Sequence, residues 1–394
     1  MSATTTMILG GGFGGISAAN SLRRLLATEH AIVVIDESPR FHVGAGNTWI
    51  MLGERTYDQI SQSRLALLEP GVRLIEAKVQ NIGLSDRTVS LPSGSLNWDF
   101  LVIALGADLD PARVPGLAEA AHTFYTVEGA QRLKVVLERF SGGDVAILIP
   151  RVPFKCPPAP YEAALLLHHA FERRGLAGKV RLAVHTAEGA PMPTAGPEMG
   201  QYIKGELTQR AIGFFPQKSA SRVDETAQRV VFEDGSEARY DLLIAIPPHE
   251  APKVVRDAKL TNQSGWIPVD PRTLQAKQPP DAREVYAVGD VTIVPLPGRY
   301  KPDVALSLPK AGVFAAAHGR IVAHQVAARI LGQTPDEAFD GKGYCYLETG
   351  AKRAVKADGS FFELPHPIMQ RRTPDESQFR DKLDWVERLL RPMR

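Results

Sequence analysis

Apolar residues in this chain come in short runs, separated by glycine- or proline-rich turns and alternating with segments of helical spacing. Residues 4–26, TTTMILGGGFGGISAANSLRRLL, read as strand, glycine turn and helix. The runs AIVVIDES (31–38) and NWDFLVIALGADLD (97–110) read as further buried strands. A second set starts at DVAILIP (144–150). It continues with a helical pattern at 160–174, KVRLAVHT (179–186) and YDLLIAIPPH (240–249). A later strand lies in REVYAVGDVTIVP (283–295). Strands alternating with helices predict a doubly wound parallel sheet. The expected fold class is α/β: two Rossmann-like dinucleotide-binding domains with a small C-terminal region. The first domain is expected in two parts, 1–110 and 265–330. The second, 111–264, is inserted between them, and 331–394 forms the C-terminal region.

The first turn carries chemistry. Gly10, Gly12 and Gly15 fit G-x-G-x-x-G between a strand and a helix. Such glycines permit a tight turn, a close approach of backbone amides to a pyrophosphate, and close helix–strand packing. The helix N-terminus adds a partial positive charge. Asp36 closes the next apolar run about 20 residues later, where a carboxylate can accept from ribose hydroxyls.

The equivalent turn of the second set is different. PRVPFKCPPAPYE (150–162) has no glycine, and Pro157, Pro158 and Pro160 have no amide N–H to offer a phosphate. The fold is expected to persist while the nicotinamide site is lost. One of the chain's two cysteines, Cys156, stands in this turn; the other is Cys345. They form neither a C-x-x-C redox motif nor a zinc-site spacing, and a buried cysteine can simply fill space. Lys155 and the following helix start would favour a thiolate at Cys156. Glu162, one helical turn further on, could exchange protons with sulfur.

Composition narrows the classes. In 394 residues, 46 Lys and Arg face 44 Asp and Glu, for a net charge of +2. That balance gives no reason to expect nucleic acid as a partner. No apolar run approaches the roughly 18–20 residues that span a bilayer. The start, MSATTTMILGGG, has no basic segment followed by an apolar one, so no export signal is expected and the cytoplasmic side is the expected location.

Taken together, GGGFGG (10–15), Asp36, KCPPAPYE (155–162), AVGD (287–290), LPKAG (308–312) and GYCYLE (343–348) resemble the sulfide:quinone oxidoreductase and flavocytochrome c sulfide dehydrogenase flavoproteins. Ala-Leu-Gly (104–106) also resembles the Ala-Thr-Gly with which two-dinucleotide-fold flavoproteins leave their FAD domain, with Leu105 in the threonine place. The resemblance implies FAD, held by Gly10, Gly12, Phe13, Gly14, Gly15, Asp36, Val79, Gly106, Gly289, Asp290 and Lys310, with Lys310 near the isoalloxazine. It implies a redox-active pair, Cys156 and Cys345, assisted by Glu162, with sulfide as donor and quinone as acceptor. A cytochrome c acceptor, or a type II NADH dehydrogenase-like activity, are the alternatives.

Two departures stand out. The chain lacks the third cysteine of many quinone-reducing members. The segment SPRFHVGAGNTW (38–49) has no cysteine, so cysteinyl attachment of FAD is impossible there and non-covalent binding is expected; only His42 could link. Phe361 and Phe362 are candidate quinone-ring contacts or core residues. In the tail, 376–394, Phe379, Leu383, Val386, Leu389, Leu390 and Met393 lie at helical spacings beside Trp385, Arg388, Arg391 and Arg394. This is either an interfacial membrane helix or a helix docked on its own domain or on a second copy in a homo-oligomer.

Overall fold

The computed structural model describes residues 3–278 and 284–393; Arg283 and Arg394 lie outside them. The chain opens with β1 (Thr5–Leu9), α1 (Phe13–Leu25), β2 (Ala31–Asp36), β3 (Val72–Glu76) and β4 (Phe100–Ile103). It then enters β5 (Gly143–Ile149), α2 (Ala159–Arg173), β6 (Val180–Thr186), β7 (Gly213–Phe215) and β8 (Leu242–Ala245). It returns through β9 (Val285–Ala287) and α3 (Gly312–Ile330). It closes with β10 (Lys342–Gly350), β11 (Arg353–Ser360), β12 (Ile368–Arg371) and α4 (Glu376–Leu389).

Two parallel sheets result. The first has the order β9-β4-β1-β2-β3, the second β7-β6-β5-β8. In the first, β9 pairs with β4 across the whole insertion, Val285 opposite Leu101. Strand order runs outward in both directions from β1, which puts the crevice of an open α/β sheet just beyond Leu9. The glycine turn lies there. β10, β11 and β12 form an antiparallel sheet with Cys345 opposite Ala357.

Glycine sets the geometry at that crevice. Gly10 has φ +94°, a region that L side chains rarely adopt. A Cβ on Gly15 would overlap the Gly10 carbonyl, so α1 can close on β1 only without one. α3 lies against α1 just as closely: a Cβ on Gly319 would overlap the Gly14 carbonyl. A large apolar core fills the first sheet and α3. A second core joins β5, β6, β8 and α2 to Trp49, Leu347 and Val386, so all three regions of the chain share it.

Two glycine substitutions should therefore have opposite signs. Gly319→Ala forces α1 and α3 apart and should cost about 1–3 kcal/mol. Gly205→Ala, in the helix Gly196–Gln209 with nothing within 4 Å of the added Cβ, should stabilise by up to about 1 kcal/mol through helix propensity. Denaturant titration of both variants checks this.

Candidate active site

A cavity of about 1140 Å³ opens between the C-terminal ends of the two parallel sheets and the C-terminal region. Gly12, Phe13, Gly14 and Gly106 line it from the first domain, as do Gly289, Asp290 and Lys310 from its second part. Cys156 and Glu162 enter from the second domain, Cys345 and Phe361 from the C-terminal region. Residues far apart in sequence thus meet in one space.

The others do not line it. Gly10 and Gly15 pack on backbone below the turn. Val79 is buried in the first core. Phe362 turns to Phe339, with centroids 5.4 Å apart, and so is not a wall of the cavity. Asp36 accepts from Gly11 N–H at 2.7 Å and Ser38 N–H at 2.9 Å, and pairs with Arg64 at 3.0 Å. That buried guanidinium also donates to the carbonyls of Gly11, Ser38 and Arg40. Sequence reasoning missed Arg64, whose role depends on β2 and the glycine turn arriving beside it.

Cys156 is held by its backbone. Its φ is +54°, the left-handed region, and the hydrogen bonds around it fix that turn. Its N–H donates to Lys310 O at 2.8 Å, and its carbonyl accepts from Ala159 N–H at 2.9 Å. The Tyr125 hydroxyl donates to Lys155 O at 3.0 Å. These bonds bear on the missing phosphate loop. From 156 to 160 three residues are prolines and the other two amides are already spent, so no donor is left for a pyrophosphate.

Burial pushes the Cys156 thiol up to about 12; Glu162 raises it further, while Lys382 and the Ala159 amide pull it down. Burial lifts Cys345 to about 12 as well, and a charge on Cys156 adds to the rise. The helix start does act in the predicted direction, but loss of hydration outweighs it.

Glu162 is 4% exposed. It accepts from Glu348 N–H at 2.9 Å, Thr48 Oγ1 at 3.3 Å and Lys382 Nζ at 2.9 Å. Lys382, 2% exposed, also donates to Glu348 at 2.6 Å, and Glu348 accepts from Trp49 Nε1 at 2.8 Å. Burial raises the Glu162 carboxyl, and the Lys382 charge opposes it. Lys382, Glu348 and Trp49 were absent from the sequence-derived site. One signal existed: Lys382 shares a helix face with Gln378 and Val386, both buried.

Lys382 belongs to α4, which settles how the tail sits on this chain. Val386 is buried, and Leu383, Trp385, Leu389 and Leu390 pack on the second core. Trp385 stacks on Phe13 at 6.4 Å and 13°. The apolar stripe read as a possible membrane face is used against the protein itself.

The residues fit a flavin dinucleotide. Gly12 and Gly106 have open space where a Cβ would stand, so a ligand can reach their backbone. Asp290 lines the cavity with Oδ1 buried and without a hydrogen-bond partner among the described residues. Burial lowers the Lys310 amine to about 7, Asp290 opposing.

Comparison with known proteins agrees with this geometry. Residues 4–148 match the pyridine nucleotide-disulphide oxidoreductase family. Residues 130–248 match the central region of the sulfide dehydrogenase [flavocytochrome c] flavoprotein chain. Over these segments the chain is similar to the sulfide:quinone oxidoreductase and flavocytochrome c sulfide dehydrogenase flavoproteins. The chain is an oxidoreductase. The mitochondrial sulfide:quinone oxidoreductase of Mus musculus is 26% identical over 91% of this chain and 78% of its own length. The sulfide-quinone reductase of Aquifex aeolicus is 26% identical over 84% and 77%. The solved structure of the sulfide:quinone oxidoreductase from Aquifex aeolicus superposes with a TM-score of 0.86 at 24% identity, covering 98% of this chain and 90% of that one, which shows the common fold.

Removing the cation from the buried triad should be costly. Lys382→Met leaves two carboxylates without a counter-charge and should destabilise by about 3–5 kcal/mol. The folded-state pKa of Glu162 is already raised and would rise further. Folding then takes up a proton, and stability falls as pH rises through the interval between the unfolded and folded values. The deficit measured by denaturation should be smaller at pH 5 than at pH 8.

Proposed function

We propose that the protein oxidises sulfide through the Cys156–Cys345 pair and passes the electrons by way of FAD to a quinone. The observation that carries this reading is the meeting of both cysteines and Glu162 with the Gly12–Gly14 turn in one cavity. Hydrosulfide attacks the oxidised pair; the S–S bond breaks, one cysteine becomes a persulfide and the other leaves as thiolate. Glu162 would hold or return a proton, with the Lys382 ammonium bonded to it. Bound FAD supplies the two-electron acceptor for the cysteines and the donor for the quinone. Gly12, Phe13, Gly14, Gly106, Gly289, Asp290 and Lys310 would hold it, with Gly10 and Gly15 shaping the turn. Asp36, at the end of β2, would serve its adenosine ribose, Val79 would act only through its backbone or the core beneath, and attachment would be non-covalent.

The spent amides of 156–160 argue against NADH as donor and hence against the type II dehydrogenase alternative. The match of 130–248 to the flavocytochrome c flavoprotein keeps a cytochrome acceptor as the second reading. Phe361 remains a candidate quinone contact from the cavity wall; Phe362 does not face that space.

No helix among the described residues is long and apolar enough to cross a membrane. With the α4 stripe covered, the proposed lipid contact moves to the helix end. Leu65, 61% exposed, and Met393, 36% exposed, are joined there by a Met393 N–H to Ala66 O bond at 2.8 Å. Arg391 is exposed on the same tail and offers a cation to an anionic lipid surface; Arg24, beside Met393, is already paired with Glu69.

Sulfide added anaerobically should bleach the bound flavin within manual mixing, and NADH should not; rapid stoichiometric bleaching by NADH would overturn the donor assignment. Cys156→Ser and Cys345→Ser should each keep FAD but lose sulfide-driven turnover by several orders of magnitude. A variant retaining more than about a tenth of the rate would return that cysteine to a packing role. The double variant Leu65→Glu, Met393→Glu should release the protein from anionic liposomes and slow a long-chain quinone more than a soluble analogue. Equal rates with both quinones and undiminished liposome binding would reject this surface.

A further inference from the structure

Lys310 is tied to several parts of the site at once. Its carbonyl accepts the Cys156 N–H at 2.8 Å, and its backbone bridges Lys155 in parallel. Its ammonium donates to Asp290 O at 2.6 Å and Thr292 O at 3.0 Å. The same ammonium lies over the Trp266 ring, 3.4 Å from its centroid. An ammonium has three N–H donors. Two carbonyls take two of them, and the aromatic face receives the rest of the charge.

A small strand pair puts the indole there. Ile267–Pro268 runs parallel to Thr292–Ile293 with Ile267 opposite Thr292, so Trp266 stands one residue before the partner of the carbonyl that Lys310 uses. Trp266 is 3% exposed and lines the cavity. An aliphatic residue could fill its volume but would present no negative face to a cation.

We propose that Trp266 is a positioning residue of the flavin reaction: its ring keeps the Lys310 ammonium charged and fixed at the cavity wall, where that charge favours reduced, anionic flavin. This rests on the flavin reading given above. Because burial brings the Lys310 amine down to about 7, its charge near neutral pH is finely balanced. A desolvated cation–π contact at 3.4 Å favours the charged amine. Asp290, Lys155, His249 and His318 are the other titratable groups around it. Burial raises the Asp290 carboxyl, and the Lys310 and Lys155 charges oppose that rise.

The test uses flavin-loaded Trp266→Leu and Trp266→Phe, each with and without Lys310→Met. The flavin midpoint potential is measured by dye equilibration at one pH near neutrality. Trp266→Leu should lower it by about 30 mV, a tenfold change in the two-electron equilibrium. Trp266→Phe should lower it less, and neither should move it once Lys310 is methionine. In flavin-free protein, Lys310 should be acylated several-fold faster in Trp266→Leu, as a neutral amine is. A variant that holds flavin at an unchanged potential, or one that shifts it equally in the Lys310→Met background, overturns the proposal. If Trp266→Leu does not fold, Trp266→Phe decides by the same readings. If the unmodified protein holds no flavin, the flavin reading fails, and the acylation rates alone decide whether Trp266 keeps Lys310 charged.

Discussion

The Lys382 ammonium between Glu162 and Glu348 is the contact on which the site depends. It joins α4 to α2 and β10, and so ties the tail to the helix behind Cys156 and to the strand that carries Cys345. An ion pair this deeply buried is poor evidence for stability, because desolvation consumes much of the Coulombic gain. Its value lies in specificity. The two carboxylates can be accommodated together only where a cation and further donors meet them, and Thr48, Trp49 and the Glu348 amide supply those donors. Lys382 therefore fixes α4 in one register and brings Trp385 onto Phe13 at the glycine turn.

A second constraint lies in the turn between β5 and α2. Strand, turn and helix persist in β5 and α2 because their apolar faces fill the second core. A phosphate loop needs more than shape: it needs free amides at the helix start. Proline removes three of these, and the bonds from Cys156 to Lys310 and from Ala159 to Cys156 use the other two. The two amides that remain in this turn are thus the ones that anchor Cys156 at the cavity.

The sheets, the glycine turn and the order of the segments were legible because their signals are local. Strand period, turn chemistry and the strand–turn–helix context all lie within a few residues of one another. Cys156, Cys345 and Glu162 were legible through short motifs. Lys382, Glu348, Arg64 and Trp266 were not. Lys382 meets a partner 220 residues away, and an isolated lysine in an amphipathic helix reads as a solvated face. The stripe beside Trp385 showed that α4 has an apolar side; what covers that side depended on tertiary packing. The surroundings of Cys156 were legible only in part: a neighbouring lysine and a helix start are visible in sequence, but the burial that opposes them is not.

Magnitudes account for the left-handed backbone at Cys156. That conformation costs an ordinary residue about 1–2 kcal/mol. A typical intramolecular hydrogen bond returns about 0.5–1.5 kcal/mol net. The N–H bond to Lys310 and the carbonyl bond from Ala159 can therefore hold it, with the Tyr125 bond to Lys155 O steadying the preceding residue. One of these bonds crosses from the second domain to the first. The cysteine's conformation therefore depends on the loop that carries Lys310, and Lys310 in turn depends on Asp290, Thr292 and Trp266. With α4 clamping the other side through Glu162, the two cysteines are placed by contacts from all three regions of the chain. A rigid-body shift of either parallel sheet against the other would have to break the Cys156–Lys310 bond before it could move the pair.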